Sequence, residues 1–388
     1  MALEHAGSAM RNALRPVTIA LVSALLMAAC AAPPGAAAPA VSAAPTTVAS
    51  AAASAKPPLA TVALRGGTSL TASSVAFAPY LTIGKELGWL KDEALDVKID
   101  NLDTAVALTL VTRGEIDFFI GAPESLLTVE AKGTKTGVKF AYKYYTRPWY
   151  WLAVLPDSPV KTADQLKGKT VGLSSLGVPQ SPALESYLRE SGLKPTDVTT
   201  VVVGNSVAAA TALKDGKIDA MLQIANSFVT FENAGFQYRY LAKPKGLDDL
   251  FGASFYVHEN VLTNPAKLEG LGRYFRVVAK SVLFAKTNPE ATVRIHWKVA
   301  PESKPTGLAE AKALADGTRQ IQVGMDHAGR EGRWGEFTSK GMKAYIDFLG
   351  LSAALPNPDA LYTTAFVKAA NEWSEPEVVA LAKSYKVQ

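Results

Sequence analysis

Five stretches of this 388-residue chain carry side chains able to hold a small molecule. Tyr142-Lys-Tyr-Tyr-Thr-Arg-Pro-Trp-Tyr-Trp151 crowds six aromatic rings into ten positions. Alternation along a strand puts Tyr142 and Tyr144 on one face and Lys143 and Tyr145 on the other, before Arg147-Pro148 turns the chain. Such a wall either stacks on a planar ligand or fills a core, and Tyr144 and Tyr145 are the candidate contacts. Gly121-Ala-Pro-Glu-Ser125 sets Pro123 and the Glu124 carboxylate near a helix start, where the acid either favours the helix dipole or takes a cationic or amino group. Ser174-Ser-Leu-Gly-Val-Pro-Gln180 offers Ser174, Ser175, Gly177 and Gln180 ahead of a helix that reads as capped by Ser181, with Pro182 as its first residue. Free N–H groups there hold a carboxylate, sulfonate or phosphate without any Lys or Arg. Gln223 and Asn226 in Gln223-Ile-Ala-Asn226, and Ser73, Ser74 and Phe77 in the Arg65 to Ala78 stretch, complete the candidate set.

Catalytic signatures are absent from the sequence: there is no Gly-x-Ser-x-Gly elbow, no Walker loop, no Gly-x-Gly-x-x-Gly and no His-Glu-x-x-His. His258, His296 and His327 are isolated, so neither a metal nor a cofactor is expected. The formal charge is only +5, with no basic stripe of the kind that binds nucleic acid.

A repeat supplies the frame for these residues. Asp103-Thr-Ala-Val-Ala-Leu-Thr-Leu-Val-Thr-Arg-Gly-Glu-Ile-Asp117 aligns without a gap on Asn205-Ser-Val-Ala-Ala-Ala-Thr-Ala-Leu-Lys-Asp-Gly-Lys-Ile-Asp219. Each begins at an Asx cap, runs as a helix, stops at a glycine and enters a strand. Thr61 to Leu64 parallels Thr170 to Leu173 as a first strand, Pro79 to Trp89 parallels Pro182 to Gly192 as a first helix, and Leu95 to Ile99 parallels Thr199 to Val203. Two β-α-β-α-β units follow, each predicted to form a parallel sheet with right-handed crossovers. The fold class is therefore α/β, two lobes of similar build with a cleft between them and a helical C-terminal extension.

In open parallel sheets ligands bind beyond the carboxyl ends of the strands, which selects the loops named above. The first of these spans about fourteen residues in lobe one and its counterpart about seven in lobe two, judged from the strand and helix patterns. Asp117 and Asp219 fall at strand starts, the opposite end, and read as structural. Crossings between lobes are expected near Leu155 to Val160 and Ala242 to Gly252. The expected organisation is lobe one at 59–155, lobe two at 156–244, and a return to lobe one with C-terminal helices at 245–388. Trp297, Trp334 and Trp373 in those helices read as packing residues.

Ahead of the lobes, Arg11 and Arg15 precede an apolar run, Val17 to Ala29, too short to span a bilayer as a mature helix. Residues 1–29 read as an export signal, and Met10 makes a better start than Met1. Residues 30–58, almost wholly Ala, Pro, Ser, Thr, Val and Gly, read as a disordered tether. Cys30 is the single cysteine, so an exported chain must hold together without disulfides.

Leu26-Met27-Ala28-Ala29-Cys30 resembles the bacterial lipoprotein signal, with Met27 where leucine is usual; an ordinary signal cut at an Ala-x-Ala site is the alternative. Through Ala107-Leu108 to Gly114-Glu-Ile-Asp117, Lys161-Thr-Ala-Asp-Gln-Leu-Lys-Gly-Lys-Thr-Val-Gly172, and Leu213 to Gly216-Lys-Ile-Asp-Ala220, the chain resembles the substrate-binding proteins of ABC importers of the nitrate, sulfonate, taurine and thiamine-precursor type. The resemblance implies a two-lobed periplasmic-binding-protein fold acting as a monomer. It would capture a small organic or anionic solute in the periplasm and deliver it to an ABC permease, held at the membrane by lipid on Cys30. A ligand-binding partner of a sensor shares this fold. A thiamine-pyrimidine-synthase-like enzyme is a relative too, but its cysteine-rich segment is missing here.

Overall fold

Strands β1 (Val62–Thr68), β2 (Leu95–Asn101), β3 (Phe118–Gly121) and β4 (Val138–Lys143) build a first sheet, and β5 (Tyr150–Val154), β6 (Thr170–Leu173), β7 (Thr199–Val202), β8 (Ala220–Ile224) and β9 (Arg239–Tyr240) a second. Strand β10 (Ser254–His258) returns to the first. The computed structural model describes residues 59–68, 74–174 and 180–387, which lie within one unit, Pro57–Gln388. Cys30 with the signal and tether, Ser73, Ser175 and Gly177 lie outside the described residues, as do the side chains of Gln180 and Ser181.

The two sheets have the same order, β2-β1-β3-β10-β4 and β7-β6-β8-β5-β9. Their first three strands pair in parallel, as the repeat predicts. The fourth strand in each is antiparallel to its neighbours, so each sheet is parallel-rich with one reversed strand beside its parallel unit. The reason is topological. Each lobe receives its fourth strand from the other lobe across the carboxyl ends of the parallel strands, so the incoming strand must start at that edge and run back. Ser254, the first residue of β10, accordingly sits opposite both Gly121 and Lys143, the last residues of β3 and β4.

This route also moves the first crossing. The chain leaves the first sheet after Lys143 and joins the second at Tyr150, ahead of the Leu155 to Val160 segment expected to cross, so residues 144–149 of the aromatic run are themselves the crossing. The second crossing, 241–253, falls close to its expected place.

Further local corrections follow from packing. Strand β1 continues to Thr68 instead of ending at Leu64, because Gly66 and Gly67 let rings and branches of the neighbouring strands close in: a Cβ on Gly66 would stand 2.2 Å from the Phe118 ring. The two first loops therefore have similar lengths, and the expected asymmetry between lobes disappears. Pro79 to Trp89 is not one helix but short turns at Ala78–Leu81, Ile83–Glu86 and Trp89–Asp92, interrupted at Thr82 and at Gly88 with φ +75°. Helix Gln180–Glu190 starts before Pro182, which stands third instead of first and Ser181 inside the helix. A proline in the first turn still costs no hydrogen bond. Asp103 caps helix Thr104–Thr112 by accepting from Ala105 N at 2.8 Å. Asn205 does not cap its counterpart; Ser206 holds that place without a side-chain bond.

Asp117 and Asp219 do the same structural work in each lobe. Asp117 Oδ2 accepts from Arg65 N and from Lys267 Nζ, both at 2.8 Å. Asp219 Oδ2 accepts from Thr170 N at 2.9 Å, with Lys169 at 3.4 Å. Helix Pro265–Thr287 packs on the first lobe, but the C-terminal third braces more than that lobe: helix Glu310–His327 lies against helix Ala225–Asn233 of the second. Arg189 of the second lobe also hydrogen-bonds Phe348 O at the end of helix Ser339–Phe348. Trp297 and Trp334 are buried, and Trp334 packs on Trp373.

Candidate functional site

Five aromatic side chains close a circuit at the carboxyl end of the first sheet. Phe77 lies 6.0 Å from Tyr80 and 6.2 Å from Trp149 between ring centroids. Tyr80 meets Tyr144 at 5.5 Å, Tyr144 meets Tyr145 at 4.6 Å, and Tyr145 meets Trp149 at 4.5 Å. Two of these residues come from the turns after β1 and three from the first crossing. Three of these contacts are edge-to-face and two are tilted; aromatic pairs of this kind add about 0.5–1.5 kcal/mol each beyond burial, which fixes the crossing against lobe one. Tyr142 and Tyr144 both pack on Phe255, consistent with the alternation read from sequence.

A second group forms around the only carboxyl among the predicted contacts. Pro123 opens helix Pro123–Ala131 and Glu124 follows it, both buried. The Tyr345 hydroxyl donates to Glu124 Oε1 at 2.6 Å. Oε2 has no hydrogen-bond partner among the described residues. Burial pushes this acid up to about 7, against the Tyr345 bond, which favours the charged form. Tyr150 of the second lobe and Tyr256 of β10 are near enough for the Glu124 charge to raise them further, beyond the larger effect of burial.

The second lobe contributes amides. Gln223 on β8 donates from Nε2 to Gly204 O at 2.8 Å, leaving Oε1 without a partner among the described residues. Asn226 lies in the first turn of helix Ala225–Asn233, and neither amide atom has such a partner. Asn226 and Ala76 of the first lobe's turn both face Gly324 of helix Glu310–His327, where an added Cβ would stand 3.5 Å from Asn226 Nδ2 and 3.7 Å from Ala76 Cβ.

Of the predicted contacts, Phe77, Pro123, Glu124, Tyr144, Tyr145, Gln223 and Asn226 are buried at this end of the strands, and Ser74 and Ser174 are half-buried at the same edge. Sequence reasoning did not select Tyr80, Trp149, Tyr150, Tyr256 or Tyr345. Trp149 and Tyr150 belong to the aromatic run already singled out; Tyr345 has no local signal, because its partner lies 221 positions away.

The hydroxyls of Tyr144, Tyr145 and Tyr256 likewise have no partner among the described residues. Burial raises all three well above the ordinary phenol value, so they are neutral donors. A buried polar atom left unpaired costs about 1–3 kcal/mol, so groups gathered from both lobes and a crossing create a demand for hydrogen-bonding partners where the lobes meet.

Two lobes of one sheet order, joined by two crossings and each completed by a strand from the other, define the periplasmic-binding-protein fold. The chain belongs to the NMT1/THI5-like family, whose model matches residues 75–292. Solved structures agree. A protein of Bordetella bronchiseptica RB50 is 22% identical with a TM-score of 0.62, covering 80% of this chain and 97% of that one. The periplasmic aliphatic sulphonate binding protein SsuA of Escherichia coli is 17% identical with a TM-score of 0.56, covering 80% and 92%. A Candida albicans gene product described as having the generic periplasmic binding protein structural fold is 13% identical with a TM-score of 0.54, covering 80% and 95%. Comparison with curated proteins gives no match.

Proposed function

We propose that this chain is an extracytoplasmic receptor that closes its two lobes on a small solute and presents it to an ABC permease. The reading rests on the buried, unpartnered polar groups that the first lobe (Glu124), the second lobe (Gln223, Asn226) and the first crossing (Tyr144, Tyr145) bring to the carboxyl ends of the strands. Empty closure strands these groups; a solute that pairs with them removes the penalty and shifts the population toward the closed form. Ser73, Ser175, Gly177 and Gln180 are proposed to add contacts from the two first loops. Membership of a family with sulphonate-binding structural relatives supports the transport role.

Cys30 fits this role as a lipid attachment point, which would place the receptor at a membrane in the periplasm. The proposed action is binding, with the chemistry left to no residue of the site. A thermal-shift screen of organic and anionic solutes finds ligands by mass action. Small-angle scattering with a hit at saturation is then expected to show a smaller radius of gyration. A hit that binds without compaction removes the closure mechanism, and a screen without hits removes the receptor reading.

A further inference from the structure

The two described stretches that carry Glu124 and Gln223 at the carboxyl ends of β3 and β8 hold one formal charge, and it is negative. Residues 223–226 are Gln-Ile-Ala-Asn, while 121–125 hold only Glu124. Cations at the edges of the crossings are engaged elsewhere. Lys143, at the end of β4, pairs with Glu331 at 3.2 Å. Arg147 donates to Asp326 O at 2.6 Å, and Lys243 pairs with Asp248 at 2.6 Å. Burial, with Arg147 and Lys243 nearby, lowers His327, which favours its neutral form. The groups that act on the Glu124 carboxyl are its own helix start, Tyr345 on the C-terminal helix, Tyr150 on β5 and Tyr256 on β10. No cation is among them.

Building on the receptor reading above, we infer that the site selects planar solutes with a protonated nitrogen head of the amidinium type, which Glu124 Oε2 receives while the neighbouring Tyr150 and Tyr256 rings pack on the body. Three observations converge on this. A carboxyl oxygen is buried with no hydrogen-bond donor among the described residues. The surrounding tyrosine hydroxyls and amides are neutral and present both donors and acceptors. A second anion a few ångströms from an ionised, buried carboxylate is strongly disfavoured, whereas a cation is attracted. The sulphonate named for the Escherichia coli relative is thus disfavoured where Glu124 is ionised.

Proton bookkeeping gives an independent signature. With burial pushing Glu124 up to about 7, part of the population is protonated at neutral pH. A cationic head favours the carboxylate, so the carboxyl proton leaves to buffer on binding. Affinity for the cation should rise as pH increases toward and through 7, and flatten once Glu124 is ionised without the ligand.

The test uses matched series sharing one aromatic body: benzamidine and 2-naphthamidine against benzenesulfonate and 2-naphthalenesulfonate. Calorimetry is run between pH 5.5 and 8.5 in buffers of different ionisation heat. Amidines are expected to bind at least about 100-fold more tightly than the matched sulfonates at pH 8, with proton release near pH 7. Glu124→Gln, checked for folding by circular dichroism, should cost about tenfold or more in amidine affinity and abolish the proton release. Tyr345→Phe should retain the preference, since Oε2 is the receiving atom. Sulfonates binding as tightly as amidines, or amidine affinity unchanged in Glu124→Gln, would overturn this inference and leave the receptor reading standing. Absence of binding by every member of both series would overturn the inference; absence from the broad screen as well would remove the receptor.

Discussion

Tyr345 and Glu124 stand 221 positions apart and are joined by a 2.6 Å hydrogen bond, the phenol donating to the carboxyl. The bond makes helix Ser339–Phe348 a wall of the region where the lobes meet. That same helix reaches the second lobe through Arg189, so the C-terminal extension touches both halves of the molecule at a place where their separation would be felt. A carboxyl held there is sensitive to any step that lets water in.

Glu124 should therefore write a pH dependence into stability. Its folded value, about 7, lies above the ordinary 4.5 because burial disfavours the charge. Between those values the native state holds a proton the unfolded chain has lost, so this contribution is full below about pH 4.5 and disappears as pH rises through 7. The difference amounts to about 3 kcal/mol. Melting temperature in the wild type should fall by several degrees more than in Glu124→Gln between pH 5 and pH 8. Parallel profiles for the two proteins would mean that the carboxyl is hydrated in solution.

The repeated aspartates should differ in worth despite their shared role. Asp117 holds Arg65 N and Lys267 Nζ, joining two strands to helix Pro265–Thr287, with its side chain 15% exposed. Asp219 holds Thr170 N, with its side chain 39% exposed and a longer contact to Lys169. Asp117→Ala should cost about 2–4 kcal/mol and Asp219→Ala about 1 kcal/mol in urea unfolding. Equal losses would show that the lysine adds nothing.

Much of the architecture was readable because each lobe repeats the same local signals: a capped helix, a glycine with φ +69° at Gly114 and Gly216, and a following strand. What periodicity does not carry is the destination of a strand. Nothing within Tyr150–Val154 says that it joins the other lobe in reverse, since direction is set by where the crossing leaves the first sheet. Gly66 and Gly67 read as a loop because their reason for being small, the Phe118 ring on β3 and the Leu102 side chain just past β2, lies far off in the sequence. At the site, loop position alone selected Phe77, Glu124 and Asn226, whereas Tyr345 enters through tertiary packing from far along the chain.

Cys30 is expected to govern where the protein resides. Lipid chains contribute about 0.8 kcal/mol per buried methylene, and two or more hold a protein firmly at a bilayer. Cys30→Ala expressed in a bacterial host should move from the membrane pellet to the soluble periplasmic fraction while its solute affinity stays within twofold. Unchanged fractionation would show that the anchor is not this thiol.

Gly252 should control the pivot. The two crossings pair as backbone ribbons, with Gly252 N donating to Tyr145 O at 2.9 Å and Tyr145 N to Ala253 O at 3.0 Å. A Cβ on Gly252 would come within 2.8 Å of both Arg147 O and Tyr145 Cβ, closer than real contacts allow. Because backbone and a Cβ form the obstacle, no side-chain rotation relieves it, and the crossings must separate. Overpacking of this kind costs about 1–3 kcal/mol, which a chain of this size can lose without unfolding. Separated crossings displace Tyr145 from Trp149 and tilt one lobe against the other. Gly252→Ala should thus bind a solute found by screening at least about tenfold more weakly, with less compaction in scattering than the wild type at saturation. Gly235→Ala serves as the control, since its φ of +91° strains the backbone while nothing lies within 4 Å of the added carbon and it stands away from both crossings. A comparable loss of affinity in that control would assign the effect to general destabilisation, and full affinity with full compaction in Gly252→Ala would show that closure does not turn on these segments.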